Sequence, residues 1–114
     1  MLDVLVVDDE PGVRRLLDIV FRQTGWTVRA APDAETALKM VEEIDPDVVL
    51  TDVRLPGMDG TELAERIRND GHHHHAHIIL MSAYGRPKRA RAETFLPKPF
   101  DLENVVQTVR SCEH

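Results

Sequence analysis

Residues able to do phosphoryl chemistry stand at the ends of short apolar runs. Asp8 and Asp9 close the run 2–7, Asp52 closes 47–51, Ser82 closes 78–81, and Lys98 lies just past 94–96. Carboxylates gathered in one place repel one another, so Asp8, Asp9 and Asp52 together ask for a hard cation satisfied by oxygen ligands. Mg2+ suits such a set: it is small, keeps several waters, and is commonly held by one or two carboxylates with a phosphate. Mn2+, which also takes carboxylate and water ligands, is the possible substitute. Lys98 adds a point positive charge and Ser82 a hydroxyl, both donors for the oxygens of a phosphoryl group. Phosphoryl transfer asks a protein mainly for positioning and charge neutralisation, and a carboxylate can be the acceptor. Asp52 is therefore the candidate nucleophile. Taken singly, each acid is better explained as a turn or cap residue; it is the joint placement after four separate runs that favours a site.

The elements that must position these residues alternate between two kinds of segment. Short β-branched or aliphatic runs predict strands over 2–7, 26–30, 47–51, 78–81 and 94–96. Between them, apolar residues recur at helical spacing. Pro11 opens a helix with the face Val13, Leu16, Leu17, Val20 and Phe21, which Gly25 stops. Asp33 caps a second, with Ala37, Leu38, Val41 and Ile44, ended by Asp45 and Pro46. A third, bearing Leu63, Ala64 and Ile67, follows the turn-rich stretch 55–60, and Asp101 caps a last one with Leu102, Val105, Val106 and Val109. This alternation predicts an α/β fold: a doubly wound, five-stranded parallel sheet of flavodoxin-like order 2-1-3-4-5, with helices on both faces. In such a sheet the ligand site lies beyond the carboxyl ends of the strands, where strand order reverses, and all five chemical residues fall there.

Composition limits the partners. A chain of 114 residues predicts one domain, 1–114. With 42% hydrophobic and 30% charged residues it is an ordinary globular sequence. The net charge of −6 argues against nonspecific attraction to nucleic acid or anionic lipid. Cys112 is the only cysteine, so an internal disulfide and a zinc site built from cysteines are both excluded. The opening apolar run is too short for a signal or a spanning segment, which predicts a cytoplasmic protein.

Four stretches, 6–10, 52–60, 81–85 and 96–100, resemble response-regulator receiver domains, and the likeness covers essentially the whole chain. It is nearest to the single-domain regulators of sporulation-type phosphorelays and to the receivers of nitrogen-regulator-type activators. The resemblance implies that Asp52 takes a phosphoryl group from a sensor histidine kinase or a histidine phosphotransfer protein. It implies that Asp9, Asp52 and the Arg54 carbonyl ligate Mg2+, with Asp8 helping through water, and that Ser82 and Lys98 read the phosphoryl group. Phe95 matches the aromatic that turns inward as Ser82 moves; its plain alternative is core packing. Pro99 matches a cis-proline. Arg54 and Tyr84, each two residues past a site residue, occupy positions that tune loss of the phosphoryl group, and their bulk predicts slow autodephosphorylation. Such a chain is a phosphoacceptor that assists only its own phosphorylation and dephosphorylation. It would be a monomer or weak dimer and would signal to a downstream protein target, without binding nucleic acid or membrane itself.

Two segments depart from the family pattern. Only 15 residues, 83–97, separate Ser82 from Lys98, and 84–91 holds a glycine, a proline and four basic residues with little apolar periodicity. The family's fourth helix is therefore expected to be shortened or missing, and the basic run Arg86, Lys88, Arg89 and Arg91 reads first as a solvated loop. The second departure is the run His72, His73, His74, His75 and His77, which could capture Zn2+ or Ni2+ or sense pH. An exposed connector, or a purification handle, explains it as well.

Other readings remain open from sequence. The chain could be the receiver piece of a larger DNA-binding transcription regulator. It could be an aspartyl-phosphate phosphatase or phosphotransferase of the fold's wider relatives, although those usually need a second acid where Arg54 stands. It could also be a scaffold held in one state.

Overall fold

Residues 1–70, 75–85 and 94–113 are described by the structure, a computed structural model. The strands are β1 (Asp3–Val7), β2 (Thr27–Ala31), β3 (Val48–Asp52), β4 (His77–Ser82) and β5 (Thr94–Pro97). The helices among the described residues are α1 (Pro11–Gln23), α2 (Ala34–Ile44), α3 (Gly60–Asn69) and α4 (Leu102–Arg110). All five strands pair in parallel in the order β2-β1-β3-β4-β5, the order expected. The abbreviated fourth helix and basic run expected from sequence fall in 86–93, and His72 to His74 fall in 71–74, so both lie outside the described residues.

Strand periodicity sorts the core into two halves, because successive side chains point to opposite faces of a sheet. Val4, Val6, Leu50, Ile79 and Met81 pack with Leu17 and Phe21 of α1 and Val105 and Val109 of α4. Leu5, Val7, Val49 and Ile78 face Ala34, Ala37 and Val41 of α2 and Leu63, Ala64 and Ile67 of α3. Helices therefore cover both faces, which is why the central strands are nearly continuous apolar runs. Leu17 and Phe21 are wholly buried, each worth about 1.5–3 kcal/mol of transfer free energy.

The helix ends follow local chemistry. Asp33, Asp59 and Asp101 accept hydrogen bonds from the backbone N–H groups of Thr36 at 2.7 Å, Glu62 at 2.9 Å and Glu103 at 2.8 Å, satisfying donors that the first turn leaves unpaired. Asp45 ends α2 in the left-handed region at φ 48°. Gly25, at φ 92°, turns the chain after α1 toward Trp26. Trp26 lies outside β2, buried with its ring centroid 5.6 Å from that of Phe21.

Two expectations are corrected. Asp52 and Ser82 are the last residues of β3 and β4 rather than the first residues beyond them. Leu16, expected on the buried face of α1, is 42% exposed. Leu17 and Phe21 point at the sheet with Val13 and Val20 at their flanks, and the next residue around the helix from Leu17 turns out to solvent.

Candidate functional site

The carboxyl ends of β1, β3, β4 and β5 bring the acids, the hydroxyl and the lysine to one edge. Asp8, directly after β1, is completely buried. Its N–H donates to the Ala31 carbonyl at 3.2 Å, and its Oδ1 accepts the Glu10 N–H at 2.9 Å. Arg14, one turn into α1, donates to its carbonyl at 2.7 Å. A buried carboxylate needs this degree of fixing, since an unpartnered one is costly.

Asp52, 7% exposed, ends the fully buried strand β3. The Arg54 N–H donates to its Oδ1 at 3.2 Å. The next helix begins hard against it: a Cβ on Gly60 would be driven into the Asp52 carbonyl, and the Gly60 N–H donates to Val53 O at 2.8 Å. Glycine is needed at position 60 for this close approach, whatever its backbone angles.

Lys98 joins the two acids. Its Nζ lies 2.9 Å from Asp8 Oδ2 and 2.9 Å from Asp52 Oδ2. Burial pulls the ammonium pKa down, but the hydrogen bonds and charges of Asp8 and Asp52 outweigh it and hold Lys98 above its ordinary value. The site thus keeps a fixed positive charge at neutral pH. The Lys98 N–H donates to the Ser82 carbonyl at 2.8 Å, and the Lys98–Pro99 bond is cis, as the resemblance implied.

Ser82 is buried, and its Oγ accepts the Tyr84 N–H at 2.9 Å. A cavity of about 250 Å3 lies over Asp52, with Asp9, Glu10, Arg54, Tyr84 and Lys98 in its walls; Asp8 and Ser82 stand behind that lining. Arg54 and Tyr84 are brought together, with the guanidinium carbon 4.3 Å from the ring centroid. Phe95 is half-buried in β5, three residues before Lys98.

The donor set fits a hard divalent cation. Asp8, Asp9 and Glu10 each place a carboxylate oxygen within 4.8 Å of the others, and Asp9 and Glu10 share the cavity with Asp52. Glu10 was not singled out from sequence, although it directly follows the paired acids. Arg14 and Gly60 were missed as well. Gly60 had a signal, since Asp59-Gly60 opens a helix right after a turn-rich stretch; Arg14 acts on backbone six residues away, and no spacing rule points to it.

The chain matches the model of the response regulator receiver domain over residues 4–110. It is 38% identical over 108 residues to the regulatory protein AtoC of Escherichia coli, covering 90% of this chain but 23% of that protein. It is 35% identical over 113 residues to sporulation initiation phosphotransferase F of Bacillus subtilis, covering 94% of this chain and 90% of that one. Among solved structures, the response regulator protein TrrA of Thermotoga maritima, in complex with Mg2+-BeF, superposes with a TM-score of 0.88 at 32% identity, covering 98% of this chain and 99% of that one. With the acids, the hydroxyl and the lysine at the ends of the same parallel sheet, this chain belongs to the response regulator receiver domain family of two-component signalling.

Proposed function

We propose that residues 1–114 act as one receiver unit in which Asp52 accepts a phosphoryl group from a phosphohistidine of a sensor kinase or phosphotransfer protein. The observation that carries this reading is Lys98 Nζ, seated 2.9 Å from both Asp8 and Asp52 at the edge of a cavity open to a donor. A carboxylate oxygen of Asp52 forms the new P–O bond as the P–N bond to the donor imidazole breaks, and the imidazole leaves with the bond's electron pair. Lys98 offers its ammonium to the oxygens of the transferred group, so it can release Asp52 without leaving the site uncharged. Ser82 supplies a hydroxyl once it turns from Tyr84, and Phe95 fills the space that movement opens.

Asp9, Asp52 and the Arg54 carbonyl are the ligands assigned to Mg2+, with Asp8 behind them through water and Mn2+ as substitute. When bound, the ion supplies positive charge against the charge gathering on the phosphoryl oxygens. Arg54 and Tyr84 wall the cavity and limit the approach of a hydrolytic water, so the phosphoryl group is lost slowly. The chain works on itself alone, as a cytoplasmic switch for a downstream protein; among the described residues no helix is long and apolar enough to cross a membrane. The alternative, a receiver piece of a larger DNA-binding regulator, rests on the 23% of AtoC that the chain spans, against 90% of sporulation initiation phosphotransferase F, and a full-length reading frame decides it.

Incubation with acetyl phosphate and Mg2+, followed by intact mass, tests the assignment. Wild type should gain one phosphoryl group and Asp52→Asn none. A wild type that gains nothing, or an Asp52→Asn that gains as much, defeats it.

A further inference from the structure

A second set of metal-competent side chains gathers at the opposite end of the sheet. A cavity of about 330 Å3 there is lined by Asp47, His75, His77, Cys112 and Glu113. Position 47 immediately precedes β3, His77 opens β4 with His75 two residues ahead, and Cys112 follows α4. The His77 N–H donates to the Asp47 carbonyl at 2.9 Å, and the Asp47 carboxylate accepts the Asp3 N–H at 2.8 Å, so the entrances of three strands are pinned around this space. Cys112 is buried, with Sγ 3.7 Å from the Thr108 carbonyl. His75 Nε2 lies 3.3 Å from Asp45 Oδ1.

We propose that this cavity is a second cation site, for a borderline-soft divalent ion of the zinc class. His75, His77 and Cys112 are its ligands, and a carboxylate of Asp47 or Glu113 completes four. Two imidazoles and a thiolate suit zinc, whereas the all-oxygen group beyond β1 suits a hard cation. The sequence excluded a zinc site made of cysteines and offered the histidines no partner; the fold brings one cysteine to their cavity wall. On ligation Cys112 releases its thiol proton to solvent and His75 exchanges Asp45 for the ion. Among the described residues only Asp8, Asp9 and Glu10 already place three ligand atoms within 4.8 Å, so the proposal requires His75, His77 and Cys112 to turn from their present partners into the shared cavity. The proposed ligands are drawn from the described residues alone.

Co2+ titration of the whole chain in excess Mg2+ tests the site, because cobalt bound to a thiolate shows a charge-transfer absorption that cobalt bound only to imidazole or carboxylate lacks. One Co2+ per chain, with that absorption, is expected in wild type and in the triple variant His72→Ser, His73→Ser, His74→Ser. Cys112→Ser should lose the absorption. Losing even an outer partner of a metal ligand costs about 10–100-fold in affinity, so Zn2+ binding by calorimetry should weaken at least ten-fold in Cys112→Ser and His77→Gln. Circular dichroism checks folding, and if Cys112→Ser does not fold, His77→Gln alone decides. Absence of the thiolate absorption in wild type, or metal binding lost in the triple variant and kept in Cys112→Ser or His77→Gln, overturns the proposal.

Discussion

The guanidinium of Arg54 lies over the ring of Tyr84, 4.3 Å from its centroid, on the rim of the cavity above Asp52. Tyr84 is 75% exposed, and Arg54 extends from a loop just after β3. The contact between them is the cation–π stack itself.

If the pair screens the phosphoryl group as proposed, its lifetime should depend on both side chains together. An exposed cation–π contact is worth about 0.5–1 kcal/mol, which corresponds to about two- to five-fold in a rate. Arg54→Ala and Tyr84→Ala should each shorten the half-life of phosphorylated protein by that factor. The double variant should be little faster than either single one, because the first substitution already removes the shared contact. Loss of radiolabelled phosphate over time measures all three, and unchanged half-lives would sink the idea.

Lys98→Met should expose the mutual repulsion of Asp8 and Asp52. Removing one partner of a buried ion pair costs about 3–5 kcal/mol, and with the Lys98 side chain 15% exposed the lower end is expected in the absence of divalent ions. Mg2+ should recover much of that loss and stabilise the variant more than the wild type, because the ion neutralises the same acids. Urea unfolding with and without Mg2+ gives the comparison; equal Mg2+ effects on both proteins would contradict the charge account.

The pH dependence of that difference has a definite sign. Lys98 is held above its ordinary value of 10.5, so its pairing contributes fully below 10.5 and is lost only as pH rises through the higher folded value. The stability gap between wild type and Lys98→Met should stay level from neutrality to mildly alkaline pH and close beyond it. A gap that closes already at mildly alkaline pH would show that the ammonium is not held by the two acids.

Gly60→Ala should be the most damaging small substitution near the site. Its methyl group would strike the Asp52 carbonyl, backbone rather than a yielding side chain. Overpacking of this kind costs about 1–3 kcal/mol, and phosphorylation of Asp52 should slow as the carboxylate shifts. A chevron or urea midpoint unchanged from wild type would show that α3 moves aside without strain.

Much of this was legible in the sequence because it rests on local chemistry. Caps at Asp33 and Asp101, the stop at Asp45 and the strand order follow from residue type and period. The grouping of Asp8, Asp52 and Lys98 was legible too, since each stands at the end of an apolar run in a fold whose strand ends converge. Leu16 was misplaced because five apolar residues on α1 span a wider arc than the sheet covers. The turn of Ser82 toward Tyr84 depends on one side-chain torsion, which no spacing encodes. That Cys112 lines the same cavity as His75 and His77 depends on how the last helix lies across the sheet, so periodicity within either segment is silent about it.

Lys98 stands just past β5, which among the described residues pairs only with β4 at the edge of the sheet, and its ammonium spans 90 residues of sequence to Asp8 and 46 to Asp52. That makes the charge balance of the pocket a mechanical fastening. If the edge peels away, two buried carboxylates face each other uncompensated, so the resting acids clamp the margin of the sheet. On the proposed chemistry, a divalent ion or a phosphoryl group that took over the balance would slacken the clamp, so a change at Asp52 would reach the margin of the sheet first.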